Sequence, residues 1–124
     1  MKRGTTPDVR IKRIYETPGS DGERVLVDRL WPRGVSREAA AIDRWLKELA
    51  PSDALRRWFG HEPARWAEFG RRYRRELAAQ RELIEELRRL ARSRPLTLLF
   101  SARDAAHNQA VILRKVILGG PRRD

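Results

Sequence analysis

The chain has 124 residues, with 28 Lys and Arg against 17 Asp and Glu, a net charge of +11, and no cysteine. That length fits one compact domain with a real core, and the missing cysteines exclude disulfides, thiolate metal sites and a cysteine nucleophile. No apolar run approaches the roughly 20 residues that span a bilayer. The basic start Met1-Lys2-Arg3 lacks the apolar stretch of a signal peptide, so a cytoplasmic protein is expected. Arginine supplies most of the cations, spread along the chain with no isolated basic arm. Such a bias arises either from composition alone or from selection for polyanion binding.

Residues 9–16 roughly alternate in polarity and predict a first strand, after a flexible segment 1–8. Thr17-Pro18-Gly19-Ser20-Asp21-Gly22 is a turn, and residues 24–30 predict the second strand. The link between them is shorter than the dozen or so residues of a usual parallel crossover, so a hairpin is the default, with a tight parallel return as the alternative. Ser36 is placed to cap a helix carrying Ile42, Trp45, Leu46 and Leu49. Pro51-Ser52-Asp53 opens a short second helix with Leu55, Trp58 and Phe59, stopped by Gly60.

The longest element is expected from Pro63 to Arg92, with Trp66, Phe69, Tyr73, Leu77, Ile84, Leu87 and Ala91 on one face. Pro95 ends it. Leu96-Thr97-Leu98-Leu99-Phe100 then reads as a central strand, because it is apolar on both faces. A last helix is predicted over 105–118, and 119–124 is a loose basic tail. The order predicts an α/β domain over 9–118, a single small domain with a short, mostly parallel or mixed sheet flanked by helices.

Chemistry is concentrated at the ends of two predicted strands. In Asp28-Arg29-Leu30-Trp31-Pro32-Arg33-Gly34 an apolar strand empties into an acid, two arginines and a Pro/Gly stop. Buried strands seldom run directly into charge without a partner or ligand. After the second apolar run, Ser101 and Asp104 have capping spacing, and Arg103, His107 and Asn108 sit in or beside the first helical turn. If the two strands run parallel, both loops face one crevice, the usual ligand position in open sheets.

Arg29 and Arg33 would then hold a phosphate or carboxylate, with Asp28 orienting them and Ser101, Arg103 and Asn108 completing the pocket. Asp28 and His107 are the candidate base and acid. The alternative is structural: Asp28 as an internal ion pair, Ser101 and Asp104 as caps, Trp31 as a lid on the core. His61, before Pro63, is a second candidate acid or base, or only a residue at a helix start. Arg71, Arg74 and Arg75 share the solvated face of the long helix and form a candidate nucleic-acid stripe, or simply a soluble face.

No Gly-rich phosphate loop, nucleotide fingerprint or Gly-x-Ser-x-Gly elbow is present. Two distant histidines do not make a zinc site. No metal or cofactor is expected, and the partners implied are a small anionic ligand or a nucleic acid, not a membrane.

Several blocks carry a family likeness: Arg13-Ile14-Tyr15, Val25 through Gly34, Trp45 through Ser52, Leu55 through His61, Pro63-Ala64-Arg65-Trp66, and Leu96 through Ala102 with His107-Asn108. Together they resemble the YeaO-like proteins, a bacterial family filed under a domain of unknown function. The likeness runs from about residue 10 to 117 and implies the whole domain but no reaction. Family members commonly carry Asp at the position of Glu62, and Glu is the poorer cap there. The wider superfamily resembles proteins with a Cys-His-Arg-like segment after the last strand. Here that stretch is Ala106-His107-Asn108-Gln109, so thiol-based transfer chemistry is excluded.

Overall fold

A run that is apolar on both faces needs cover on both faces. In the computed structural model, which describes residues 6–119, the strand Leu96–Phe100 is buried along its whole length. It is β4, and it lies between β1 (Val9–Arg13) and β2 (Glu23–Leu26). A two-residue strand, β3 (Arg44–Trp45), adds to the outer side of β2. The sheet order is β1-β4-β2-β3 and every pair is parallel. Val9 and Glu23 both register with Leu96, so the carboxyl ends of all three longer strands open at one end of the sheet.

The helices are α1 (Arg37–Ala40), α2 (Asp53–Phe59), α3 (Trp66–Leu77), α4 (Arg81–Ser93) and α5 (Gln109–Gly119). One face of the sheet, with Val9, Val25, Leu96, Leu98 and Phe100, packs into the main core against Phe69, Tyr73, Leu87, Leu113 and Ile117. On the other face Leu26 and Leu99 meet a smaller cluster with Ile14, Ala40, Trp31, Val35, Ile42 and Trp45. Trp31 is therefore part of a lid. Its ring stands edge-on to Trp45 at 5.4 Å, and its Nε1 donates to the Val35 carbonyl at 2.7 Å.

The expected single α/β domain is what forms, with the predicted central strand central. Five local expectations are corrected. The first two strands make no hairpin, because β4 takes the place between them. Residues 14–22 instead carry the chain back for a parallel return. The strand predicted over 24–30 ends at Leu26, with one further sheet bond from Val27 N to Leu99 O at 3.0 Å.

The helix capped by Ser36 is real but stops at Ala40, where Ala41 adopts a left-handed conformation with φ of 48°. Asp43 then bridges to β2: its carboxylate accepts from Arg24 N at 2.8 Å and its own N–H donates to Arg24 O at 2.8 Å. Ile42, Trp45 and Leu46 consequently follow a sheet edge rather than a helix face.

The long helix is two helices. Ala78–Gln80 forms a 3₁₀ turn and Gln80 leaves helical geometry with ψ of 31°. Periodicity could not reveal this break, because the interval from Leu77 to Ile84 keeps a helical phase across it. The last helix starts at Gln109, not at 105. Asn108 is its cap: Oδ1 accepts from Ala110 N at 2.9 Å and from Val111 N at 3.3 Å. Asp104 instead holds the preceding loop, accepting from Ala106 N at 2.9 Å and His107 N at 3.1 Å.

Of the segments expected to be loose, residues 1–5 and 120–124 lie outside the described residues. Asp8 is tied down, through Asp8 N to Ala91 O and Leu96 N to Asp8 O, both at 2.9 Å.

Candidate functional site

Because β2 and β4 are parallel, the loops that follow them meet, and the meeting point is Asp28. It is buried. Its Oδ2 accepts from Ser101 N at 3.1 Å and its Oδ1 from Gln109 Nε2 at 2.8 Å. Trp45 Nε1 donates to the Asp28 carbonyl at 2.8 Å. Burial pushes the Asp28 carboxyl above its ordinary value, and the hydrogen bonds from Ser101 and Gln109 offset only part of that.

The anion-accepting end of β4 is thus filled by a carboxylate of the chain itself. The arginines expected to surround Asp28 make no hydrogen bond to it. Arg29 Nε donates to Pro51 O at 3.0 Å and lies 3.8 Å from the Asp53 carboxylate, so it ties the loop after β2 to the start of α2. The Arg33 side chain is exposed and, among the described residues, makes no hydrogen bond or ion pair. Arg103 is exposed in the same way.

Two residues of the first family-like block, to which the sequence assigns no role, connect these loops. Arg13, at the end of β1, donates from Nε to Ala102 O at 2.9 Å and from a terminal nitrogen to Ser101 O at 3.1 Å. Its guanidinium also lies 4.8 Å from the centre of the Tyr15 ring, and the Tyr15 hydroxyl donates to Arg33 O at 3.0 Å. The loop bearing Arg33 and the loop bearing Arg103 are therefore fastened to one Arg13–Tyr15 unit. Alternation at the end of the first strand was the signal available for that pair. Nothing in the sequence marked Gln109.

His107 belongs to a different contact set. Its Nδ1 is 2.9 Å from Asp104 Oδ2, and its ring stands edge-on to Trp66 at 5.0 Å. The His107 hydrogen bond, and then the Ala106 N–H, hold the Asp104 carboxyl below its ordinary value. His107 and Asp28 share no hydrogen bond. Asn108 is buried and spent on capping, with its Nδ2 donating to Asp104 O at 2.9 Å.

His61 is exposed with φ of 57° directly after left-handed Gly60, and its ring tilts toward Phe59 at 6.1 Å. Glu62 makes no capping bond to the turn Pro63–Arg65 that follows it. On α3, Arg71 and Arg72 both pair with Glu68, at 2.7 and 2.9 Å. Arg74 and Arg75 are exposed without an acidic partner among the described residues. No group of three or more metal-ligating side chains occurs among the described residues, and no helix there is long and apolar enough to cross a membrane.

A family model described as the inactive DUF488-N3 subclade matches residues 8–123. The chain belongs to that subclade. Among its relatives, the Escherichia coli K12 protein titled "Uncharacterized protein YeaO" is 42% identical over 107 residues, covering 86% of this chain and 93% of that protein. The Mycobacterium tuberculosis H37Rv protein titled "Uncharacterized protein Rv3073c" is 39% identical over 112 residues, covering 90% of this chain and 94% of that one. No solved structure matches the chain. In this DUF488-N3 member, the polar groups at the strand ends mostly fasten one loop to another, and Arg33 and Arg103 keep guanidinium groups without a partner among the described residues.

Proposed function

We propose that this DUF488-N3 member is a non-catalytic binding domain that takes a small anion, a phosphate or a carboxylate, at the carboxyl ends of its parallel strands. The observation that carries the reading is the Arg13–Tyr15 unit, which fastens the Arg33 and Arg103 loops at one end of the sheet while both guanidinium groups have no partner among the described residues. A guanidinium is suited to forked bonding of phosphate or carboxylate oxygens. Ser101, whose side chain faces the Asp28 carboxylate, lies in the same loop as Arg103, and Asn108 anchors that loop through its cap. Asp28 acts here as scaffold rather than as base, since its carboxylate is held by Ser101 and Gln109 and is remote from the His107–Asp104 pair in bonding. The description of the subclade as inactive supports the same side of the choice.

Titration with inorganic phosphate, followed residue by residue through backbone amide shifts, tests the reading. Saturable shifts are expected at residues 33–35 and 101–104, and the Arg33→Ala, Arg103→Ala double variant should lose them. Saturable shifts elsewhere, or unchanged binding in the double variant, would reject the crevice. Turnover of an aryl phosphate or ester that disappears with Asp28→Asn would reject the non-catalytic part alone.

A second reading rests on Arg74 and Arg75, whose charges no acid among the described residues neutralises, next to Arg71. A nucleic acid tracked by that stripe would bind with a steep salt dependence. Gel shifts with Arg71, Arg74 and Arg75 changed to Glu separate the two, because crevice binding would survive the change.

A further inference from the structure

The break between α3 and α4 opens a cleft that the strand-end site does not use. At Ala78 the chain leaves the helix, and the short side chain there leaves space between the elbow and the end of α5. The cleft holds about 510 Å³, within the roughly 300–1,000 Å³ of ordinary small-molecule sites. Its walls have two chemistries. Leu77, Ile84 and Val116 give it an apolar surface, and Arg74, Arg81 and Lys115 ring it with positive charge. None of those three cations has an acidic partner among the described residues.

Among the described residues Glu85 is the one acid in the wall, and it is already engaged. Arg88, 3% exposed, pairs with Glu85 and also donates from Nε to Ile117 O at 2.7 Å and from Nη2 to Val116 O at 3.0 Å. Those bonds close the last carbonyls of α5 and fix the floor of the cleft. Each terminal nitrogen of Arg88 keeps one further N–H beyond these bonds. The cleft is therefore rigid on one side, apolar within and cationic at its rim.

We infer that this cleft binds a small anionic molecule with an apolar body, such as an aryl or alkyl phosphate, sulfonate or carboxylate. The body lies on Leu77, Ile84 and Val116, and the anionic head is held by Arg74, Arg81 and Lys115. Both parts are required. A bare anion leaves the apolar wall uncovered, and a neutral hydrocarbon leaves the cationic rim unpaired. Charge repulsion among the three cations is relieved only when the head is negative.

Calorimetric titration of the full chain with 1-naphthyl phosphate tests this, beside 1-naphthol and inorganic phosphate as single-feature controls. The phosphate ester should bind saturably, and each control at least about tenfold more weakly, the equivalent of about 1.4 kcal/mol. Arg81→Glu with Lys115→Glu should weaken the ester by a similar factor or more. Ala78→Trp, an exposed position on the cleft wall, should do the same by filling the space without altering charge. Thermal melts establish that both variants stay folded.

The Arg33→Ala, Arg103→Ala chain should keep the full affinity for the ester, which separates this site from the strand-end crevice. Equal binding of 1-naphthol or phosphate, unchanged affinity in the cleft variants, loss in the crevice variant, or no saturable binding would each overturn the inference. So would an ester signal that a short DNA duplex displaces while the Ala78→Trp chain still binds the ester normally, since the ester would then report only the basic surface.

Discussion

The Asp28 carboxylate accepts the backbone N–H of Ser101 at 3.1 Å, so the acid that ends β2 also closes the end of β4. Removing that carboxylate by Asp28→Ala strands the Ser101 N–H and leaves the Gln109 amide only its longer bond to the Val27 carbonyl, at 3.3 Å. An unsatisfied donor costs about 1–3 kcal/mol, and with one half-buried donor stranded and a second weakened a loss of about 1–3 kcal/mol is expected in urea unfolding. Asp28→Asn should lose no more than about 1 kcal/mol. Its carbonyl still accepts from Ser101, and a turned Gln109 amide accepts from its nitrogen while giving up only the long bond to the Val27 carbonyl at 3.3 Å. An arginine-paired Asp28 would behave differently, since Asn would leave a buried cation exposed to the full penalty.

The pH dependence of the same pair has a definite sign. Burial raises the folded pKa of Asp28 above its unfolded value near 3.8, so the folded state keeps its proton longer. The stabilising contribution is complete below the unfolded value and is lost as pH rises through the folded one. Asp28→Asn cannot ionise, so its stability relative to the parent chain should improve between pH 3 and neutrality. Parallel urea titrations at both pH values measure this, and a relative loss for Asn as pH rises would mean that the carboxylate is stabilised by its surroundings.

Gly22 supplies a prediction about the parallel return between β1 and β2. It has φ of +68°, and a Cβ there would lie 2.1 Å from the Pro95 carbonyl oxygen, a backbone atom. Gly34 has φ of +77° with nothing within 4 Å. Gly34→Ala therefore carries only the left-handed penalty, about 1–2 kcal/mol. Gly22→Ala adds a clash that must displace the strand opening or Pro95, and should cost about 3 kcal/mol or more. Thermal melts of the two variants give the comparison, and equal losses would show that the approach to Pro95 relaxes freely.

Much of this fold is legible in the chain because its strongest signals are two-sided burial and turn chemistry. Leu96–Phe100 is apolar on both faces, and only a central strand satisfies that. Ser52 and Gly60 bracket α2 as cap and left-handed stop. The expectations that changed depend on long-range partners. Ala41 turns left-handed so that Asp43 can bridge to Arg24, and no local preference announces it. The break at Ala78–Gln80 lies between two apolar positions that keep one phase. At the candidate site the conserving feature of the prediction was geometric: parallel strands bring Asp28 and Ser101 together. Which groups occupy that meeting point was not readable, because Gln109 and Arg13 reach it only through the packing of α5 and β1.

Asp21 is the mirror case to Asp28, at the opposite end of the sheet. It is buried and accepts from Arg24 at 2.5 Å, Lys12 at 3.1 Å and Gly19 N at 3.1 Å. Burial raises its pKa, but the Gly19 N–H and the two cations outweigh that and hold it below 3.8. Its contribution is therefore present above the unfolded value and lost as pH falls through the folded one. Asp21→Asn leaves Arg24 buried without its counter-charge, although Arg24 still donates to Ala40 O at 2.7 Å and Ala41 O at 3.0 Å. A loss of about 3–5 kcal/mol at neutral pH is expected, shrinking in acid as the parent carboxylate protonates. Lys12→Met should cost less than Asp21→Asn, because the lysine is the more exposed partner, at 19% against 10%. A neutral-pH loss below about 1 kcal/mol for Asp21→Asn would show that the Thr97 hydroxyl, which donates to Asp21 O at 2.7 Å, secures the parallel return without the ion pairs.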